Sequence, residues 1–250
     1  MAERKPINAQ NYHRLVVKVG SAVLSGAKGR QQQLEIAAQI AALRAEGREV
    51  VLVSSGAVAT GLSKLGFKER PKTMPGKQAL AAVGQPTLMY LWEQAFSWYD
   101  LKVAQVLLTA EDLGHRQRYL NARQTLETLL EWGIVPIINE NDTVMVEEIK
   151  FGDNDQLSAL IASLVGADLL ILLSDIEALF EADPRTHPEA RPIPFVERVD
   201  AAVLRMAGDS PGRVGTGGMK SKLLAAEKAQ AAGIPTLLLP GHRPQSISQA

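Results

Sequence analysis

Six runs of largely consecutive apolar residues, at 15–19, 50–53, 103–108, 134–138, 169–173 and 236–239, constrain this chain more than any other feature. A strand wetted on one face alternates apolar with polar, whereas these runs are apolar at nearly every step. That pattern belongs to parallel strands covered on both faces. Helical periodicity fills the intervals, at 31–46, 77–96, 119–132, 156–165 and 219–232. In the first of these, Leu34, Ala37, Ile40, Ala41 and Leu43 make one apolar face, and Gly47 is placed to end the helix. Strand alternating with helix predicts an α/β fold: a three-layer α/β/α sandwich with a mainly parallel central sheet and right-handed crossovers. Segments 143–151 and 175–191 follow strands without helical periodicity and read as hairpins or lids. No repeat, low-complexity tract or Pro-rich linker divides the chain, so residues 1–250 are expected to form one domain.

Composition closes off several chemistries. A chain of 250 residues can bury roughly three-quarters of its unfolded surface, so it needs no disulfide staples. It has no cysteine, which excludes thiol catalysis, zinc-thiolate sites and a disulfide framework, and suits a reducing cytoplasm. Lys plus Arg and Asp plus Glu balance at 27 each, so no polyanion and no nucleic acid is expected as a partner. Residues 1–14 are polar and mixed in charge, without the apolar core of a signal peptide. The longest apolar run, 160–173, is broken by Gly166 and Asp168 and reads as a helix end feeding a strand, not a membrane span. The expectation is a soluble, cytoplasmic protein with no membrane partner.

In an open α/β sheet ligands bind beyond the carboxyl ends of the strands, so the residues after each run carry the functional reading. Lys18 stands inside a valine-rich run just before Gly20 and Ser21. It is either a phosphate-directed cation, costly to bury without a partner, or a strand-end lysine that snorkels to solvent. Ser54-Ser55-Gly56-Ala57 either lets backbone amides approach an anion or is an ordinary turn with Ser as N-cap. The Gly-x-Ser-x-Gly elbow of a serine hydrolase is absent there. Gly215-Thr216-Gly217-Gly218-Met219-Lys220-Ser221-Lys222 can form an anion-binding nest opening a helix. It is neither a Walker A motif, because Met219 replaces the second Gly, nor Gly-x-Gly-x-x-Gly, because Lys220 takes the last place. The competing reading is a flexible loop with solvated lysines.

Two acidic, asparagine-rich turns, Asn139-Glu140-Asn141-Asp142 and Gly152-Asp153-Asn154-Asp155, exceed what turn chemistry requires. They are not an EF-hand, since Leu157 falls where that loop needs a ligand. His13, His115, His187 and His242 lack metal-ligand spacing, and Arg116, Arg118 and Arg123 sit at helical spacing as a solvated face or subunit contact. Lys18 and Lys222, Gly-rich loops and an Asp between them in sequence suit phosphoryl transfer. That reaction is mostly positioning and charge neutralisation, and it needs no covalent nucleophile.

These residues, together with Asn121-Ala122-Arg123 and Ala182-Asp183-Pro184-Arg185, closely resemble the glutamate 5-kinase branch of the amino acid kinase family, from about residue 14 to residue 241. The resemblance implies ATP-dependent phosphorylation of the γ-carboxylate of L-glutamate to L-glutamyl 5-phosphate, the first step of proline biosynthesis. It implies that Lys18 contacts the ATP phosphates and the transferred phosphoryl. Ser55, Asp142 and Asn154 bind glutamate, with Asp142 on the α-ammonium and Asn154 and Ser55 donating to the α-carboxylate. Ser174 and Asp175 lie by the nucleotide. Thr216, Gly217, Gly218, Met219, Lys220, Ser221 and Lys222 cradle the phosphates, with Lys222 neutralising transition-state charge. Asp155 orients the two lysines. Mg²⁺ is expected on the phosphates, with no protein ligand assigned. A homo-oligomer, dimer or tetramer, and feedback inhibition by proline are further implications. Against the family pattern, Ala178 replaces a Gly before Leu-Tyr and restricts a turn by the nucleotide, and Ser174 replaces Thr while keeping the hydroxyl. Many relatives continue through a further strand and a small RNA-binding-like domain absent from these 250 residues. Catalysis is expected without that domain.

Overall fold

The computed structural model describes residues 8–26, 28–145, 154–184, 186–207 and 218–250. Each apolar run becomes a strand: β1 (Arg14–Val19), β2 (Glu49–Ser54), β3 (Val103–Leu108), β4 (Val135–Glu140) and β5 (Leu169–Ser174). A short pair, β6 (Leu179–Phe180) and β7 (Pro192–Ile193), precedes the last, β8 (Thr236–Pro240). The six long strands form one sheet in the order β3-β4-β2-β1-β5-β8. Every pairing in it is parallel. β6 and β7 pair antiparallel, so segment 175–191 does form most of a hairpin, its second strand lying just beyond. Segment 143–151 begins with a 3-10 turn at Asp142–Val144, and residues 146–151 of it lie outside the described residues.

The helices are α1 (Ser21–Leu24), α2 (Gly29–Ala45), α3 (Ala57–Lys64), α4 (Met74–Ser97), α5 (Ala110–Gly114), α6 (Arg116–Glu131), α7 (Asn154–Leu164), α8 (Ala201–Met206) and α9 (Met219–Ala231). The five periodic segments of the sequence are α2, α4, α6, α7 and α9. The other four span only four to eight residues, too few turns for a period to register. Local side chains hold two of them. Thr109 and Asp112 make a reciprocal capping box on α5. Asp200 accepts from the Ala202 and Val203 amides at 2.8 and 2.9 Å to start α8. Gly47, at φ +81°, ends α2 as its position predicts.

Because successive strand residues face opposite ways, the sheet separates two cores. Leu15, Val17 and Val19 of β1, with Leu169, Ile171 and Leu173 of β5, pack against Ile36 and Ile40 of α2 and Leu88, Trp92 and Phe96 of α4. Val16, Val51, Val53, Leu170 and Leu172 face Leu126 of α6, Leu157 and Ile161 of α7, and Ala225 and Ala229 of α9. This is the expected three-layer sandwich. The Asp that interrupts run 160–173 has a structural use: Asp168 Oδ2 accepts from the backbone amides of His13 and Arg14 at 3.1 and 2.8 Å, fixing the start of β1. α3 lies against α4 through two glycines. A Cβ on Gly84 would stand 1.9 Å from the Ala57 carbonyl oxygen, and one on Gly61 would stand 1.9 Å from that of Leu80.

Candidate functional site

The chain leaves β1 for β2 on one side and leaves β5 for β8 on the other, so the carboxyl ends of the neighbours β1 and β5 frame the topological switch point, where α/β sheets hold ligands. Lys18 reaches this place by strand alternation. It shares the face of Val16, toward α7 and α9, and is only 2% exposed. The first turn of α7 brings Asp155, wholly buried, and the start of α9 brings Lys222. Lys18 Nζ lies 2.5 Å from Asp155 Oδ1, and Lys222 Nζ donates to Asp155 Oδ2 at 3.1 Å. The snorkelling alternative for Lys18 is thereby excluded. Burial pushes the Asp155 carboxyl up, but the ammoniums of Lys18 and then Lys222 outweigh it and hold the group below the usual Asp value. One carboxylate between two ammoniums leaves net positive charge, enough to receive an anion. Gly20 adds close access, since a Cβ there would lie 3.7 Å from Lys18 Nζ.

A second cluster gathers at the ends of β2 and β4. Asn154, at the start of α7, donates from Nδ2 to Ser55 Oγ and to Asn139 Oδ1, both at 2.9 Å. Asn139 Oδ1 also accepts from the Glu140 backbone amide at 2.9 Å, and its Nδ2 donates to Gln85 Oε1 of α4 at 2.8 Å. Asn154 Oδ1 is buried and accepts from none of the described groups. This reverses the polarity expected of Asn154: its amide hydrogens are committed within the protein, and its oxygen is left for a donor. Ser55 keeps its own hydroxyl hydrogen. Ser55 and Asn154 are thus brought together, and Asn154 lies next in sequence to Asp155, so the two clusters share the start of α7.

The other expected residues are placed less closely. Asp142, half-buried, opens the turn two residues beyond β4, and the Asn141 amide ties that turn to the Leu108 carbonyl at 2.9 Å. Ser174 ends β5, and its Oγ accepts from the Ile176 amide at 3.2 Å and lies 3.3 Å from Asp175 Oδ1. Gly218 stands at the N-cap of α9 in an extended conformation. Met219 packs against the small cluster of Leu179, Val199 and Leu223, Lys220 is exposed, and Ser221 Oγ is buried without a described partner. Thr216 and Gly217 lie outside the described residues, as do Gly152 and Asp153. Ser54 and Ser55 do not cap α3, whose N-cap is Gly56; Ser54 Oγ instead accepts from Trp92 Nε1 at 2.8 Å. Among described non-glycine residues only Asp100 and Gln245 have positive φ, so Ala178 imposes no left-handed strain on its turn. Arg118 and Arg123, both exposed, pair with Asp112 of α5 and Glu127 of α6.

Sequence reasoning gave Gln85 no role. Its one available signal was its place between Gly84 and Pro86, in a helix that carries other polar residues such as Lys77, Gln78, Glu93 and Gln94. Among the described residues no three His, Asp or Glu side chains are grouped to hold a metal, and no helix is long and apolar enough to cross a membrane. A cavity of about 960 Å³, lined by Phe195, Arg198, Asp200 and Gln230 among others, opens beside the far half of α9 and contains none of the site residues.

Two lysines converge on one aspartate at the switch point of a parallel sheet, and comparison with known proteins gives the family of the chain. The profile of the Amino acid kinase family matches residues 13–239, and the chain belongs to that family. It is 87% identical over 250 residues to the glutamate 5-kinase of Meiothermus ruber, covering all of this chain and 66% of that protein. It is 64% identical over 239 residues to the glutamate 5-kinase of Thermus thermophilus, covering 95% of this chain and 64% of the relative. The chain thus spans just under two thirds of these relatives' length. Among solved structures, carbamate kinase from Giardia lamblia bound to AMP-PNP superposes with a TM-score of 0.64 at 18% identity, over 94% of each chain, which supports the shared fold.

Proposed function

We propose that this chain transfers the γ-phosphoryl group of ATP to the γ-carboxylate of L-glutamate, giving L-glutamyl 5-phosphate and ADP, the first step of proline biosynthesis. The observation that carries the reading is the buried Lys18–Asp155–Lys222 trio at the carboxyl ends of the sheet. The names of the similar proteins supply the choice of glutamate.

A carboxylate oxygen of glutamate attacks the γ-phosphorus in line, and the bond from that phosphorus to the bridging oxygen of ADP breaks. The acceptor is already ionised, so no proton is removed and no general base is required. Lys18 and Lys222 neutralise charge on the moving phosphoryl and the leaving oxygen, a kind of stabilisation strong in a water-poor site. Asp155 orients both ammoniums and keeps the pair buriable. Asp142 and the free oxygen of Asn154 meet the α-ammonium of glutamate, while the Ser55 hydroxyl donates to the α-carboxylate. Ser174, Asp175 and the loop from Thr216 to Lys222, including Gly217, Gly218, Met219, Lys220 and Ser221, hold the nucleotide. Both oxygens of Asp155 are spent on lysines. Mg²⁺ would sit with the ATP phosphates and water, where it would offset phosphate charge. A cytoplasmic homo-oligomer, dimer or tetramer, inhibited by proline, completes the proposal.

The test is ATP-dependent hydroxamate formation from glutamate, hydroxylamine and Mg²⁺, run beside carbamate and other carboxylates. Glutamate is expected as the preferred acceptor. Turnover of another acid with none of glutamate rejects the proposal.

A further inference from the structure

We propose that Gln85 is a positioning residue for the amino acid acceptor, acting through Asn139 to hold the Asn154 amide in the orientation that leaves its oxygen for substrate. The polarity of the cluster has one unambiguous origin. A backbone amide can only donate, so the Glu140 amide, 2.9 Å from the Asn139 side chain, requires that the atom it meets be oxygen. The other terminal atom of Asn139 must then be nitrogen, and its partner on Gln85, at 2.8 Å, must be the oxygen Oε1. By the same rule the Asn154 atom 2.9 Å from Asn139 Oδ1 is nitrogen. That nitrogen also serves Ser55, and Oδ1 accepts from no donor among the described residues.

Gln85 is the only member of this relay on α4; Ser55 follows β2, Asn139 is in β4 and Asn154 opens α7. It closes the relay from outside the strand ends, and its place is held by the close seating of Gly84 against α3. Without its oxygen, the Nδ2 of a nearly buried Asn139 loses its acceptor, and the unsatisfied buried donor favours displacement of that side chain toward another partner or water. A full flip is opposed by the Glu140 and Asn154 donors, so the displacement instead lengthens the Asn139 Oδ1 contact with Asn154 Nδ2 and frees that amide to turn.

The kinetic part of the test rests on the glutamate reading above, and a second readout does not. In Gln85→Leu the KM for glutamate is expected to rise about five- to tenfold, the loss of roughly one hydrogen bond, with the KM for ATP within about twofold. Gln85→Glu, which keeps an acceptor oxygen, restores most of the glutamate KM. Independently of any substrate, the side-chain amide protons of Asn154, followed by NMR in the full chain, exchange with water faster in Gln85→Leu and at the wild-type rate in Gln85→Glu. Unchanged exchange in Gln85→Leu overturns the proposal, as does an equal rise in both KM values. Wild-type chain inactive on glutamate would reject the function proposed above and leave the exchange result to decide the role of Gln85.

Discussion

At the scale of single residues, Lys18 carries a charge in a valine-rich strand and would be untenable there alone. Burying an unpaired ammonium costs more than a small domain can spare, whereas a buried pair is about neutral against an apolar substitute of similar shape. The trio is therefore poor evidence of stabilisation and good evidence of use. Asp155→Asn would leave two ammoniums facing an uncharged amide, and a loss of about 3–5 kcal/mol is expected in urea unfolding. Held below its ordinary value, the Asp155 carboxyl contributes stability that is present above pH 3.8 and lost as the pH falls through its lower folded value. Acid titration of unfolding in wild type and Asp155→Asn isolates that contribution; an equal acid slope in both would contradict it. Lys222→Ala is expected to lower kcat by about two to three orders of magnitude, as for removal of a preorganised donor, and a drop under about fivefold would refute its assigned role. Lys18, Asp155 and Lys222 were legible in sequence because a charge in an apolar run or after a glycine loop demands a reason. Gln85 was not, since a neutral amide on a long helix breaks no pattern, and its meaning lies in a contact with Asn139 54 positions away.

At the scale of elements, α4 couples packing to the site. Its Gly84 touches α3, and its next residue is Gln85. Gly84→Ala would force α3 and α4 apart because the new Cβ would meet backbone, which cannot rotate away. The expected cost is about 1–3 kcal/mol in urea unfolding, with a raised KM for glutamate through displacement of Gln85. An unchanged midpoint would show that the helices part freely. The long strands and helices were readable because their periods run for several turns or steps. The short α1, α3, α5 and α8 were not, since caps and tertiary contacts hold them. The orientation of the Asn154 amide was misread for a related reason: sequence names the side chain but not which of its ends the neighbours consume.

At the scale of the whole molecule, strand order rather than any single motif puts the two clusters together. Runs of apolar residues announce a parallel sheet, but they do not give the order β3-β4-β2-β1-β5-β8, and with it the switch point at β1 and β5. Exposed aromatics, Tyr90 of α4 at 56% and its C-cap Trp98 at 80%, suit the proposed self-association. Sedimentation is expected to find a dimer or tetramer, and a monomer at micromolar concentration would contradict that part of the proposal. The most direct measurement of the proposed division of labour is a crystal structure of the chain with glutamate and a non-hydrolysable ATP analogue. The prediction is a γ-phosphate between the Lys18 and Lys222 ammoniums, with the glutamate α-ammonium at Asp142 and Asn154 Oδ1 and its α-carboxylate at the Ser55 hydroxyl. Phosphates bound away from both lysines, or glutamate seated with its two ends exchanged, would contradict it.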